Sequence, residues 1–177
     1  TTLFRSRVVT KEWQFLGAGY VGGVPTPVIL LAVVLVITAI IMNKTKLGRH
    51  IYAVGGNSQA ARFSGISTAK VKFLVHTYSG IMAGLAGVVL ASRMYSGQPT
   101  AGDGAEMDAI AACVVGGVSF TGGIGKISGV VVGVLIFTVL IYSLTILGID
   151  TNLQFVFEGI IIITAVTLDC LKYVQKK

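Results

Sequence analysis

The chain has 177 residues and a formal net charge of +7, with 54% hydrophobic and only 12% charged residues, and its mean hydropathy is +0.84. A soluble domain carries about 25% charged residues. Here the apolar residues run in long blocks, which excludes disorder, a disulfide scaffold, a coiled coil and an ordinary soluble domain. What remains is an all-α integral membrane protein, a polytopic helical bundle with about five membrane-embedded helices, one of them short or broken.

The run Thr1-Thr2-Leu3-Phe4-Arg5-Ser6 can be back-translated into the 3′ end of a widely used sequencing adapter. Residues 1–6 are therefore expected to be non-native, and 7–177 to be the C-terminal half of a transmembrane domain with further helices upstream. Gly17-Ala18-Gly19-Tyr20-Val21-Gly22 spells GxGxxG. A dinucleotide site would need a strand before it and an acidic residue about 20 positions on. Asn43-Lys44-Thr45 stands there instead, and the match is rejected.

The first span runs from Val24 to Met42, with Pro25 and Pro27 at its entrance, where a missing N–H costs least. At 1.5 Å per residue it crosses roughly 28 Å, close to the hydrocarbon thickness. Residues 43–72 carry Lys44, Lys46, Arg49, Arg62, Lys70 and Lys72 and no acidic residue, which predicts a cytoplasmic loop. Phe73–Ala91 then runs outward, and Ser92–Gly104 forms an outer loop. Glu106–Phe120 would reach only about 22 Å, so it is the short or broken helix, tolerated where protein or water covers its ends. The chain turns at Thr121–Lys126, and Ile127–Leu147 and Leu153–Leu171 are further spans. Lys172, Lys176 and Lys177 mark a cytoplasmic C-terminus, which parity allows only if the short block counts as a crossing.

Gly125, Gly129 and Gly133 form two overlapping GxxxG steps and Gly80 with Gly84 another, small faces that let helix backbones pack closely. Cys113 and Cys170 lie inside apolar runs and read as buried small hydrophobes. His50 and His76 are isolated, and no HExxH, CxxC, GxSxG or GxxxxGK[ST] is present. The Asn43-Lys44-Thr45 sequon loses its meaning on the cytoplasmic side. An enzyme reading has no catalytic residues, no metal site is expected, and the positive charge is read as membrane orientation rather than nucleic-acid binding.

Within the basic loop, Asn57 is a good N-cap, Gln59-Ala60-Ala61-Arg62 favours helix, and Gly65 suits the C′ position. The pattern predicts a helix of about two turns, too short to be stable alone. It needs a partner surface.

The run Gly48–Gly65 resembles the coupling loop of the sugar-import permeases of ABC transporters, the ribose/xylose/galactose group. Glu106-Met107-Asp108-Ala109-Ile110-Ala111-Ala112-Cys113-Val114-Val115-Gly116-Gly117-Val118-Ser119-Phe120-Thr121-Gly122-Gly123 resembles a second block of that family. Cys113 and the ending 168–173 are most like its galactose/methyl-galactoside branch, and the similarity runs from about Val24 to the end. The resemblance implies a permease subunit of the bacterial cytoplasmic (inner) membrane, importing a monosaccharide. It also implies a second permease copy, a separate ATPase chain that binds ATP and Mg, a periplasmic sugar-binding protein, and no cofactor of the chain's own. Membrane lipid surrounds such a subunit.

Coupling to the ATPase carries over to Gly48, Arg49, Gly55, Gly56, Asn57, Ala60, Ala61 and Gly65, with Ala60 and Ala61 permitting close approach. Glu106, Asp108, Gly116, Gly117, Gly122 and Gly123 are candidate pathway or short-helix residues. The two carboxylates are expected to cap and orient the helix start, where its dipole favours them, and the glycines to let it end sharply. Glu158 lies inside the last span, where the resemblance implies a basic residue, and no partner is assigned to it. Two alternatives are kept: an ion-coupled secondary transporter, which would want paired acidic residues near mid-membrane, and a permease of the same family for ribose, xylose or another small solute.

Overall fold

The computed structural model describes residues 11–174, and side chains from 14 to 167. The expectations for residues 1–6, Cys170 and the C-terminal lysines fall outside the described residues or side chains. Two compact units emerge, one from residues 11–51 with 66–103, the other from 52–65 with 104–174. The loop between the first two spans is therefore shared between the two units.

In the first unit, α1 (Lys11–Ala18) leads into a two-residue hairpin, β1 (Tyr20–Val21) against β2 (Val24–Pro25), with Tyr20 opposite Pro25. Gly22 and Gly23 have φ of 58° and 85°, the left-handed pair that such a tight turn demands. The element ahead of GxGxxG is thus a helix, not the strand a nucleotide site requires. A Cβ at Gly17 would strike the backbone of Ser92 and Arg93, so that glycine serves the packing of α1.

The first span is α2 (Thr26–Lys44), with Pro25 at its N-cap and Pro27 in its first turn. No α2 residue is buried within the chain, and Leu31, Val36 and Ile40 are all more than half exposed. Apolar on every side, the helix has no face suited to water and belongs in a bilayer. The second span, α5 (Thr68–Met94), is longer than Phe73–Ala91 at both ends and stops at Tyr95, which takes φ 54°. Thr38 of α2 donates its only hydroxyl proton to Val34 O at 2.7 Å, so the 2.5 Å contact with Tyr78 of α5 is donated by the tyrosine. Between these spans, α3 (Lys46–Gly56) is an element that the glycine-rich sequence did not predict.

The second unit holds α4 (Ser58–Phe63), α6 (Ala105–Val115), α7 (Ile127–Ile146) and α8 (Thr151–Val174). Ala111, Ala112 and Phe137 form its core, flanked by Ile141, Ile161 and Ile162. By length and composition α2, α5 and α7 can cross a membrane, with Thr151–Thr167 a shorter apolar helix. The helix expected over Glu106–Phe120 ends five residues early, because Gly116 caps it and Gly117 turns to φ 81°. Its 11 residues rise only about 16 Å. The architecture is the multi-pass helical one, with α6 too short to cross a bilayer.

Candidate functional site

The site is built around α4. Asn57, extended at φ −155° and ψ 103°, accepts hydrogen bonds at Oδ1 from the N–H groups of Gln59 and Ala60, both 3.0 Å. Ser64 closes the other end, and Gly65 follows at φ 81° with its N–H on Arg62 O. The cap side chain and the left-handed glycine define a six-residue helix between them. Its two alanines differ. Ala61 is buried at 4% exposure, whereas Ala60 is exposed, so only Ala60 is open to an external partner. Arg62 and Phe63 are exposed beside it, Phe63 at 91%.

The segment leading into α4 is fixed to the turn between α6 and α7. Tyr52 Oη donates to Gly125 O at 3.0 Å. A Cβ at Gly55 would stand 2.6 Å from Gly123 N, and one at Gly122 would stand 2.8 Å from Gly55 O. Only glycine on both sides permits that approach. The turn is stiffened internally by Ser119 N–H on Ile124 O at 3.0 Å and by Gly122 N–H on Ser119 O at 3.2 Å. Gly122 and Gly123 take φ of 93° and 73°, which lets the backbone double back. An open cleft of about 440 Å³ beside this junction is lined by Tyr52, Gly117, Gly125, Lys126 and Ser128 among others.

Behind the turn, α6 and α7 meet backbone to backbone. A Cβ at Gly116 would lie 2.5 Å from Gly129 O, and one at Gly133 would strike Ala112 O. Gly125 is not part of that face: it precedes α7 and meets the Val118 side chain at 3.3 Å. No atom comes within 4 Å of a Cβ placed at Gly80 or Gly84, so this step packs nothing among the described residues. Gly48 packs its backbone against Met42 O, Arg49 is exposed, and a Cβ at Gly56 would meet open space.

Both carboxylates lie in the first turn of α6, where its dipole favours them, but they do not cap it. The N-cap of α6 is Gly104, with no side-chain cap, so neither Glu106 nor Asp108 caps the helix. Glu106 is exposed. Asp108 brings its carboxyl within side-chain hydrogen-bonding reach of Glu158 on α8, which is 4% exposed. No partner of Glu158 was legible in the sequence because the two lie 50 positions apart and nothing local links them. Tyr52 was missed for the same reason, although a lone tyrosine in a basic loop was the available signal.

The chain matches the family model described as "Branched-chain amino acid transport system / permease component" over residues 2–166. It is 45% identical over 157 residues to the ribose import permease protein of Bacillus subtilis, covering 89% of this chain and 49% of that protein. It is 50% identical over 153 residues to the galactose/methyl galactoside import permease protein of Treponema pallidum, covering 86% and 29%. With the L-arabinose transport system permease protein of Escherichia coli it shares 43% identity over 168 residues, covering 94% and 51%. The chain thus spans about half or less of the length of these relatives. No solved structure matches it.

Proposed function

The chain belongs to the branched-chain amino acid transport system / permease component family, and from that premise we propose that it works as the transmembrane permease part of an ATP-binding-cassette importer of a monosaccharide. The observation that carries the proposal is the seating of residues 52–65 in one unit with α6, α7 and α8. A push on α4 passes through Tyr52 and Gly55 to the turn at 122–125, and from there to the closely packed α6 and α7. A short capped helix on a stiff seat transmits rigid-body motion where a flexible loop would absorb it. In this reading ATP and Mg are bound by a separate ATPase chain that docks on Ala60 and its exposed neighbours. A second permease copy and a periplasmic sugar-binding protein complete the assembly. The basic loop faces the cytoplasm and the C-terminus lies on the same side of the bacterial inner membrane.

Galactose or its methyl glycoside is the sugar we favour. The support is Cys113 and the ending 168–173, together with the galactoside permease among the relatives. Relatives named for ribose and arabinose make these the competitors to test.

The test replaces the exposed alanine. Ala60→Trp is expected to leave membrane insertion intact and abolish vanadate-sensitive uptake of labelled sugar, and normal uptake would overturn the reading. The Asp108–Glu158 pair is the one feature that an ion-coupled secondary transporter would also want. Uptake that is insensitive to vanadate and collapses with the ion gradient would favour that second reading.

A further inference from the structure

From Trp13 to Asn43 no residue carries a charge, a run well beyond the 19 residues of α2. The surplus lies ahead of α2, in α1 and the hairpin. Between Phe15 and Pro25 the only polar side chain is that of Tyr20. Even so, Phe15 is 49% exposed, Tyr20 69%, Val21 50% and Val24 43%. Val21 pairs with Val24 and Tyr20 with Pro25, so successive pairs put apolar side chains on both faces of the hairpin. A Cβ at Gly22 or Gly23 would meet nothing within 4 Å, and the tip stands clear of the described residues. Two such short strands with no core beneath them are not stable alone in water.

Two connections set the depth of this segment. The hairpin runs directly into Thr26 of α2, at the end of that span remote from the basic loop. Across the last turn of α5 lies α1, where Gly17 meets the backbone of Ser92 and Arg93. Arg93 and Tyr95 are exposed at that end, and a cation and an aromatic ring are the residue types that mark a bilayer–water boundary.

We propose that α1 and the hairpin lie in the headgroup layer of the bilayer, with phospholipid covering Tyr20, Val21 and Val24. A protein partner would want a polar rim around an apolar centre, and Phe15–Pro25 offers none. The backbone groups of the Gly22-Gly23 tip need water or headgroups, which keeps the hairpin out of the hydrocarbon. Seated there, it holds the entrance of α2 at a fixed depth. The anchor requires only that α2 spans the membrane, whatever solute is carried.

The test uses the full-length permease in nanodiscs of phosphatidylethanolamine and phosphatidylglycerol. A fluorescent probe is attached at Val21→Cys, Val24→Cys or Asp103→Cys, with the native cysteines replaced by serine; Asp103 is the exposed, charged control. At the two valines, a lipid carrying a nitroxide near its glycerol is expected to quench strongly, and aqueous iodide several-fold less than at position 103. Iodide that reaches the valines as readily as position 103 puts the hairpin in water and overturns the proposal. Valines that neither quencher reaches are covered by protein, from further helices, a second copy or a binding partner, and overturn it equally. The unsubstituted permease gives a second readout that no folding defect can confuse. With a photoactivatable diazirine near the lipid glycerol, mass spectrometry is expected to find adducts on residues 15–25 as well as on α2. Adducts on α2 with none on 15–25 overturn the proposal.

Discussion

The Tyr52 hydroxyl reaches the Gly125 carbonyl at 3.0 Å across 73 positions of sequence. It ties a loop that lies between two spans in the chain to helices that come much later. The same junction places Gly55 against Gly122 and Gly123, so a polar contact and a backbone contact act side by side. A lever needs a fulcrum that neither slides nor melts. One hydrogen bond would allow rotation about it, while the paired glycines add an area of contact that resists it.

Tyr52→Phe removes that hydrogen bond and keeps the ring. The loss is about 1 kcal/mol of stability, read as a fall of a few degrees in the unfolding midpoint. If the junction transmits force, labelled-sugar uptake at equal membrane protein falls several-fold in the same variant. An unchanged midpoint would mean that the bond contributes nothing.

Gly55→Ala tests the backbone contact against its neighbour. The new methyl would stand 2.6 Å from Gly123 N, a backbone atom that cannot swing aside, whereas at Gly56 it would meet nothing within 4 Å. Overpacking of this kind costs about 1–3 kcal/mol. Gly55→Ala is therefore expected to depress the midpoint and uptake together, with Gly56→Ala close to wild type in both. Equal behaviour of the two variants in a side-by-side assay would refute the junction as described.

The parts of this architecture that were legible in the sequence are those fixed by local chemistry. Asn57 and Gly65 announced α4 because a side-chain acceptor at one end and a left-handed residue at the other act within a single turn. The apolar runs at Thr26–Lys44 and Ile127–Ile146 announced spans because bilayer thickness sets their length. The hairpin at Tyr20–Pro25 was readable in principle from its Gly22-Gly23 turn, but Gly22 also completes the GxGxxG pattern, which obscures the turn. The helix Lys46–Gly56 was obscured by Gly48, Gly55 and Gly56, whose low helix propensity is outweighed by close packing of Gly48 on Met42 and Gly55 on Gly123. Asp108 was legible as a first-turn carboxylate of α6, but only the fold brings it beside Glu158 of α8.

Asn57→Ala takes away the acceptor shared by the N–H groups of Gln59 and Ala60. An N-cap loss costs about 1 kcal/mol, so hydrogen exchange of the α4 amides is expected to quicken about fivefold where local opening governs it. Asn57→Asp, which keeps the acceptor, should hold wild-type protection. Exchange that is unaltered in the alanine variant would show α4 to be held by its seat rather than by its cap.

Gly133→Ala and Gly84→Ala make the same chemical change on two spans and should differ in sign. At Gly133 the methyl would run into Ala112 O and stand 2.5 Å from Gly116 N, forcing α6 off α7 at a cost of about 1–3 kcal/mol. At Gly84 it would meet no atom within 4 Å, while a glycine inside α5 is exchanged for a better helix former at a gain of up to about 1 kcal/mol. Thermal unfolding in detergent is expected to place Gly133→Ala well below the wild type and Gly84→Ala level with it or above. A comparable loss at both positions would mean that a helix outside the described residues, or one of a second copy, covers the glycine face of α5. The same two-variant comparison therefore tests the α6–α7 packing and finds out whether the open face of α5 is a contact surface.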